Sequence, residues 1–377
     1  MKYIAFFDTE EFAQEHRSID LAGANVVEFS AEILSRIEEV EIISPIRTLN
    51  ISGFYPGRRL KLNNRISLRV PPTFGSKSKL GRLFSIIWIQ LWLFFVLLFH
   101  TKRNEKVVVY HSLSTMYVIK LLKHIKKFEL TLEIREIYAD VLHLSNKSRE
   151  KELRYFNIAD NYIFPTVMLN EQANKQDKPF VIASGIYRDE KRLTPKHQDG
   201  KIHLVYAGTL DRLKSGALRS VQLAEYLNEN YVMHILGKGV PETLQELKED
   251  IRRISKITKC KIQYDGELRG EAFKEYLQKC HIGLALQDLS GIYNTTSFPS
   301  KILTYLANGL EVVSPQIPAI TDSPVGRFLH YYDSDNPESI AKFIKTIKIN
   351  DSEIDNKMLT GLANDFESDL KRMFYDK

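Results

Sequence analysis

Three stretches in the second half of the 377-residue chain combine glycine and lysine, two of them with hydroxyl groups, as a phosphate site requires. In the first, an apolar run of strand type ends on Gly208-Thr209-Leu210, and Lys214-Ser215-Gly216 leads into a helical pattern. Glycine lets backbone N–H groups approach an anion, the lysine adds charge, and a helix N-terminus adds its dipole. Gly237-Lys238-Gly239 repeats the arrangement after the next apolar run. Turns of this kind also end strands for structural reasons alone, so neither stretch is specific by itself. The third is sharper. Thr296, Ser297, Phe298, Pro299 and Ser300 lead into Lys301, Ile302, Leu303 and Leu306 form an apolar helical face, and Gly309 ends it. Pro299 suits a first helical turn and Ser297 is the expected cap. An ordinary capped helix does not explain Lys301, because a cation in the first turn opposes the helix dipole unless an anion sits beside it.

Fewer residues in the first half carry chemistry. His111 follows an apolar run at 107–110, where it either contacts a reacting group, acts as a general base, or is structural. Glu133, Arg135, Glu136 and Asp140 gather at the end of another such run. Strand alternation puts Glu133 and Arg135 on one sheet face. Glu136, beyond the strand, either faces a ligand or belongs to an ion-paired strand end.

The elements that must hold these residues alternate. Residues 3–7, 40–43, 107–110, 130–134 and 161–164 read as strands, separated by helical patterns at 24–37, 83–99, 115–124 and 147–156. Residues 45–81 fit no clear pattern. A polar stretch at 187–201 has the composition of a linker. After it the alternation restarts, with strands at 202–206, 231–236, 261–264, 282–286 and 312–313. This predicts an α/β protein of two doubly wound, Rossmann-like domains, whose ligands sit at the carboxyl ends of the strands. The expected boundaries are 1–190, 191–354, and a final helical stretch at 355–377 that crosses back to the first domain.

Composition is that of a globular protein, with 44% apolar and 27% charged residues. The two cysteines lack metal-type spacing and cannot make a four-ligand zinc site alone, and a reducing compartment is the simple reading. Residues 1–7 are too short an apolar run, and too soon acidic, for a signal peptide. Between Glu41 and Glu105 there are eleven lysines and arginines, Arg58, Arg59 and Lys61 among them, and no acidic residue. That one-signed stretch is expected to face something anionic. Within it, residues 83–99 are almost wholly apolar. They read as a helix buried on a sheet, as a helix sunk in a membrane surface with Trp88 and Trp92 near the headgroups, or as a short transmembrane span.

Phe298 to Gly309 resembles the donor-binding helix of GT-B glycosyltransferases of glycosyltransferase family 4, bacterial enzymes of capsule, exopolysaccharide and O-antigen assembly. Gly208-Thr209-Leu210 with Lys214-Ser215-Gly216 looks like that family's diphosphate loop. Gly266-Glu267-Leu268, in the turn that starts at Tyr264, looks like the loop whose backbone reads the nucleobase. The resemblance covers residues 201–315 and is weaker before them, where Gly23 lies in a segment similar to the family's N-terminal glycine loop. The chain departs from the family at Thr296 and Thr304, which occupy the places of two glutamates. Thr304 can make one hydrogen bond to a ribose rather than a bidentate pair. Asp333-Ser334-Asp335 has the spacing with which other glycosyltransferases hold a metal. It lies late and precedes Asn336-Pro337-Glu338, so it reads as a loop and cap.

The resemblance implies a GT-B architecture, two domains facing a central cleft, and a metal-independent hexosyltransferase. The donor would be a nucleotide-sugar, in first place a UDP-sugar, serving as substrate with no further cofactor. It would be held by Gly23, Gly208, Thr209, Lys214, Gly237, Lys238, residues 266–268, residues 296–301 and Thr304. The acceptor would be a lipid-linked oligosaccharide, with His111 and Glu136 lining the cleft. Arg58, Arg59, Lys61, Trp88 and Trp92 would dock on an anionic membrane, placing the protein on the inner face of the cell membrane. The alternatives are a non-catalytic partner subunit, which Thr296 and Thr304 favour, and a UDP-sugar epimerase. Nucleic-acid binding has only the cations for support.

Overall fold

The computed structural model describes residues 1–17, 21–49, 51–210, 216–287, 296–349 and 357–376. The chain divides into two compact units, one of residues 1–186 with 363–377, the other of residues 187–362.

The first unit is built on an eight-stranded sheet. Its strands are β1 (Lys2–Ile4), β2 (Val40–Ile43), β4 (Arg58–Lys61), β5 (Ile66–Val70), β7 (Lys106–Tyr110), β8 (Glu129–Glu133), β9 (Asn161–Phe164) and β10 (Phe180–Ile182). Their order is β10-β9-β8-β7-β1-β2-β5-β4, parallel throughout except for β4 against β5. Residues 45–81, unreadable in sequence, thus supply an antiparallel edge. They also form a separate ribbon of β3 (Gly53–Tyr55) and β6 (Thr73–Gly75). The helices are α1 (Leu21–Ile37), α2 (Lys79–His100), α3 (Met116–Lys126), α4 (Tyr138–Val141), α5 (Asn146–Phe156) and α6 (Val167–Ala173). The core lies between the sheet and α2, α3 and α5, around Leu93, Leu97, Val109, Ile119, Leu132 and Phe156.

The second unit has six parallel strands, β11 (Ile202–Ala207), β12 (Tyr231–Leu236), β13 (Lys261–Gly266), β14 (Ile282–Leu284), β15 (Glu311–Pro315) and β16 (His330–Tyr332). Their order is β13-β12-β11-β14-β15-β16. The chain winds outward from β11 to one edge, then restarts at β14 and winds to the other. The crossovers include α7 (Gly216–Ala224), α8 (Pro241–Ile254), α9 (Gly270–Lys279), α10 (Lys301–Ala307), α11 (Pro318–Thr321) and α12 (Pro337–Ile344). The gap between the ends of β11 and β14 is therefore a topological switch point, where open parallel sheets bind ligands.

A last helix, α13 (Lys357–Tyr375), ends against the first unit. Phe366 stacks on Phe29 of α1 with ring centroids 6.2 Å apart, and Arg36 pairs with Glu367 at 3.3 Å.

Candidate functional site

At the switch point of the second unit, β11 and β14 pair only as far as Val205 and Gly283 and then part. The backbone there needs a new partner, and Tyr305 supplies it. Its hydroxyl accepts the Ala207 N–H at 2.8 Å and lies 3.5 Å from the carbonyls of Ala207 and Leu284. The ring lies against Gly283, where an added Cβ would stand 2.4 Å from it. Burial pushes the Tyr305 phenol far above its ordinary range, so it stays protonated and bonded. Lys301 and Tyr305 are one helical turn apart on α10 and share a face. Pinning Tyr305 into the sheet therefore places Lys301 at the ends of the strands. The Lys301 ammonium sits 3.9 Å from the ring centre of buried Tyr206, the residue two before Gly208.

Gly208 leaves the ammonium room to sit close to the backbone. A Cβ at that position would stand 3.1 Å from Lys301 Nζ. The next loop crowds it further, since a Cβ on Gly237 would come within 1.8 Å of the Gly208 carbonyl oxygen. The loop ends are laced in order across the sheet. Gly208 N–H donates to Leu236 at 3.1 Å, Leu210 N–H to Lys238 at 2.8 Å, and Gly237 N–H to Gly266 at 2.8 Å. The Tyr264 hydroxyl donates to the Gly237 carbonyl at 3.0 Å. The result is a rim of glycine backbone with one ammonium held over an aromatic face, an arrangement that can neutralise a phosphate.

Several sequence expectations meet this rim and several do not. Gly208, Thr209, Gly237, Lys238 and Gly266 lie on it, with Thr209 and Lys238 exposed. Glu267 pairs with Arg269 at 2.8 Å and Lys238 at 3.5 Å, and the Arg269 hydrogen bond holds its carboxyl below the usual range. Leu268 is half-buried beside it. Residues 296–299 are half-buried and lead into α10 without regular structure. Ser297 does not become the cap. The helix begins later, with Ser300 at its N-cap position making no side-chain cap bond. Thr304 donates its hydroxyl back to the Ser300 carbonyl at 3.4 Å. Lys214 lies outside the described residues. Asp335 pairs with Arg219 at 2.6 Å, and Asn336 caps α12, so the Asp333–Asp335 triplet is a loop and cap.

In the first unit the expected residues are mostly enclosed. His111 is only 1% exposed. Its Nε2 lies 2.7 Å from Glu152 Oε1, and the same carboxylate accepts the N–H groups of Tyr138 at 2.9 Å and Ala139 at 2.8 Å. Phe156 and Tyr155 pack on the imidazole, which presents no surface to a substrate in this conformation. Glu133 is also buried, accepting from Tyr3 at 2.5 Å, Ser30 at 3.0 Å and Arg135 at 2.5 Å. Arg135 does share its face, as strand alternation requires. Glu136 is half-buried in the bend between β8 and α4. Gly23 is not in a loop, because α1 starts at Leu21 and takes it into the first turn.

The apolar helix α2 differs from a fully buried one. Leu93, Val96 and Leu97 enter the core, but Leu80, Leu83, Phe84, Ile87, Leu91 and Phe95 on the opposite side are exposed. Trp88 and Trp92 lie on its flank. The Trp88 indole donates to the Pro72 carbonyl at 2.8 Å and meets Phe74 edge-on, while Trp92 packs on the core. Part of the basic stretch is balanced within the unit: Arg58 pairs with Glu15 at 2.6 Å and Arg59 with Glu41 at 3.3 Å. Lys61, Lys77, Lys79 and Arg82 are exposed and have no carboxylate partner among the described residues.

Comparison of the whole fold with solved structures is decisive for architecture. OtsA in its apo form superposes with a TM-score of 0.67 at 9% identity, covering 99% of this chain and 98% of that one. The chain has the GT-B fold. A UDP-forming α,α-trehalose-phosphate synthase from Burkholderia xenovorans with glucose-6-phosphate gives 0.66 at 8% identity over 99% of both chains. HepE from Anabaena with UDP and glucose gives 0.58 at 12%, over 99% of this chain and 95% of that one. No family model matches the sequence, and no curated protein sequence matches it. The identities are low enough that the GT-B likeness is one of fold alone.

Tyr206 and Tyr305 are the site residues that sequence reading passed over. Their signal was present: Tyr206 precedes the Gly208 turn by two residues, and Tyr305 follows Lys301 by four.

Proposed function

We propose that this protein is a glycosyltransferase that transfers a hexose-type sugar from a UDP-sugar to a lipid-linked oligosaccharide in bacterial surface-polysaccharide synthesis. The observation that carries the reading is Lys301, held over Tyr206 against Gly208 at the switch point of the second unit. On a GT-B fold that is where a departing nucleoside diphosphate needs its charge met. Lys301, with Lys214, would stabilise the developing negative charge as the sugar–phosphate bond breaks, and a preorganised ammonium does so without a metal. Fold relatives solved with UDP support the choice of nucleotide.

Calorimetric titration with UDP, GDP, ADP and CMP, without added metal, tests this. UDP is expected to bind alone, and Lys301→Ala to weaken it at least tenfold. Affinity within twofold of the parent protein would put the phosphate site elsewhere.

A second reading is a partner subunit that binds nucleotide but does not catalyse. It is favoured by Thr304, whose hydroxyl turns back to its own helix where a ribose-gripping carboxylate is expected. Binding of UDP without turnover of any UDP-sugar, restored by adding a second protein, is its signature.

The first unit would dock on an anionic membrane on the cytoplasmic side through α2. The exposed apolar face would enter the headgroup region, with Lys61, Lys77, Lys79 and Arg82 meeting lipid phosphates. Reversing Lys61, Lys77 and Lys79 to Glu is expected to abolish pelleting with phosphatidylglycerol vesicles. Unchanged pelleting would remove the membrane from the reading.

A further inference from the structure

The second unit carries a side-chain cluster that the donor rim does not use. His203 is the second residue of β11, His234 lies in β12, and His197 stands in the segment leading into β11. One ring nitrogen from each lies within 4.8 Å of the others. His203 and His234 are buried and His197 is half-buried. The His197 and His203 rings stack with centroids 3.8 Å apart, and the His197 N–H donates to the Lys279 carbonyl at 2.9 Å, which fixes that segment.

The hydrogen bonds around the cluster leave a gap in the proton count. His203 Nε2 faces Asp199 at 3.1 Å. A carboxylate only accepts, so the proton of a neutral His203 is on Nε2. The Tyr276 hydroxyl donates to Asp265 at 2.6 Å, and its oxygen lies 2.6 Å from His234 Nδ1. That oxygen accepts, so the proton of a neutral His234 is on Nδ1. His203 Nδ1 and His234 Nε2 are then both bare, and they face each other at 2.9 Å. Two imidazole lone pairs at that separation need a positive charge between them. Burial opposes a proton there, because a charged imidazole would lose its hydration. Neutral imidazoles are the form that metals take. Nearby His281 is already committed, accepting the His203 backbone N–H on Nδ1 at 3.0 Å.

We propose that His197, His203 and His234 bind a divalent transition-metal ion of the zinc class, with Asp199 and the Tyr276–Asp265 pair orienting the outer ring nitrogens. Imidazole suits zinc and its neighbours, and carboxylates behind ligating histidines fix tautomer and ring direction. Tetrahedral zinc with Zn–N distances of about 2.0–2.1 Å sets its ligand nitrogens roughly 3.4 Å apart. The His203–His234 pair need open only by about half an ångström, with the His197 ring sliding in as third ligand. The cluster stands back from the rim, with His203 five residues before Gly208 and His234, the fourth residue of β12, three before Gly237. Its role is thus to clamp β11, β12 and the incoming segment together rather than to act on a substrate.

The test uses the full-length, tag-free protein after dialysis against EDTA, titrated with ZnCl2 by calorimetry, with melting followed in parallel. One Zn2+ per chain at micromolar or tighter affinity is expected, with a rise in Tm. Co2+ should give the intense visible bands of a tetrahedral site. His197→Gln removes a half-buried ring outside the core. It should keep the metal-free Tm and lose at least tenfold in Zn2+ affinity, and His234→Gln should lose more. No saturable binding to the parent protein, or binding unchanged in both variants, overturns the proposal. UDP titration of the same samples is independent of it, since the donor rim includes none of these side chains.

Discussion

The strand ends of the two units spend their polar residues in opposite ways. In the first unit, Glu133, Arg135, Tyr3, His111 and Glu152 are all turned inward and bonded to one another or to backbone. In the second, the ammonium of Lys301 is held up over an aromatic ring at a rim of glycine backbone. The first arrangement is buried within the fold; the second sets a cation beside glycine turns at the strand ends. A titratable residue after a strand thus says little until its partner is known.

The contrast can be pressed hardest at Glu133. Removing one member of a buried charged network leaves the other stranded, so Glu133→Ala is expected to destabilise the protein by about 3–5 kcal/mol. Urea unfolding followed by circular dichroism measures it. A loss below about 1 kcal/mol would mean that Arg135 and Tyr3 find other partners. Tyr305→Phe should cost less, about 1–3 kcal/mol, because it orphans the buried Ala207 N–H while keeping the ring. If Tyr305 also sets the position of Lys301, UDP affinity falls with it by several-fold. Stability lost with affinity untouched would separate the peg from the site. The smallest effect belongs to Lys301→Ala, which should cost about 0.5–1 kcal/mol of stability, the worth of its contact with the Tyr206 ring. A larger loss would place Lys301 with the residues that hold the fold.

How much of this was legible follows from how far apart the cooperating residues lie. The alternation of strands and helices, the Gly208 and Gly237 turns and the odd placement of Lys301 are local patterns, and each appears in the structure. Residues 45–81 were not readable, because short strands at an antiparallel edge carry little periodicity. His111 looked open because its partner, Glu152, is 41 residues away on another element. The exposed side of α2 could not be told from its buried side, since both are apolar. Tyr305 acts only where two strands part, which is a property of the folded sheet. The three histidines come together across β11, β12 and a linker whose composition resembled any other.

The path of α13 bears on when the protein can fold as it is made. Phe366 covers Phe29, and Tyr375 bonds to Glu38, so helix α1 is covered by residues synthesised more than three hundred positions later. Domains usually fold in the order in which they leave the ribosome. Here the second unit can close while the first still waits with the α1 surface bare. The earliest part of the chain is thus the last to be completed.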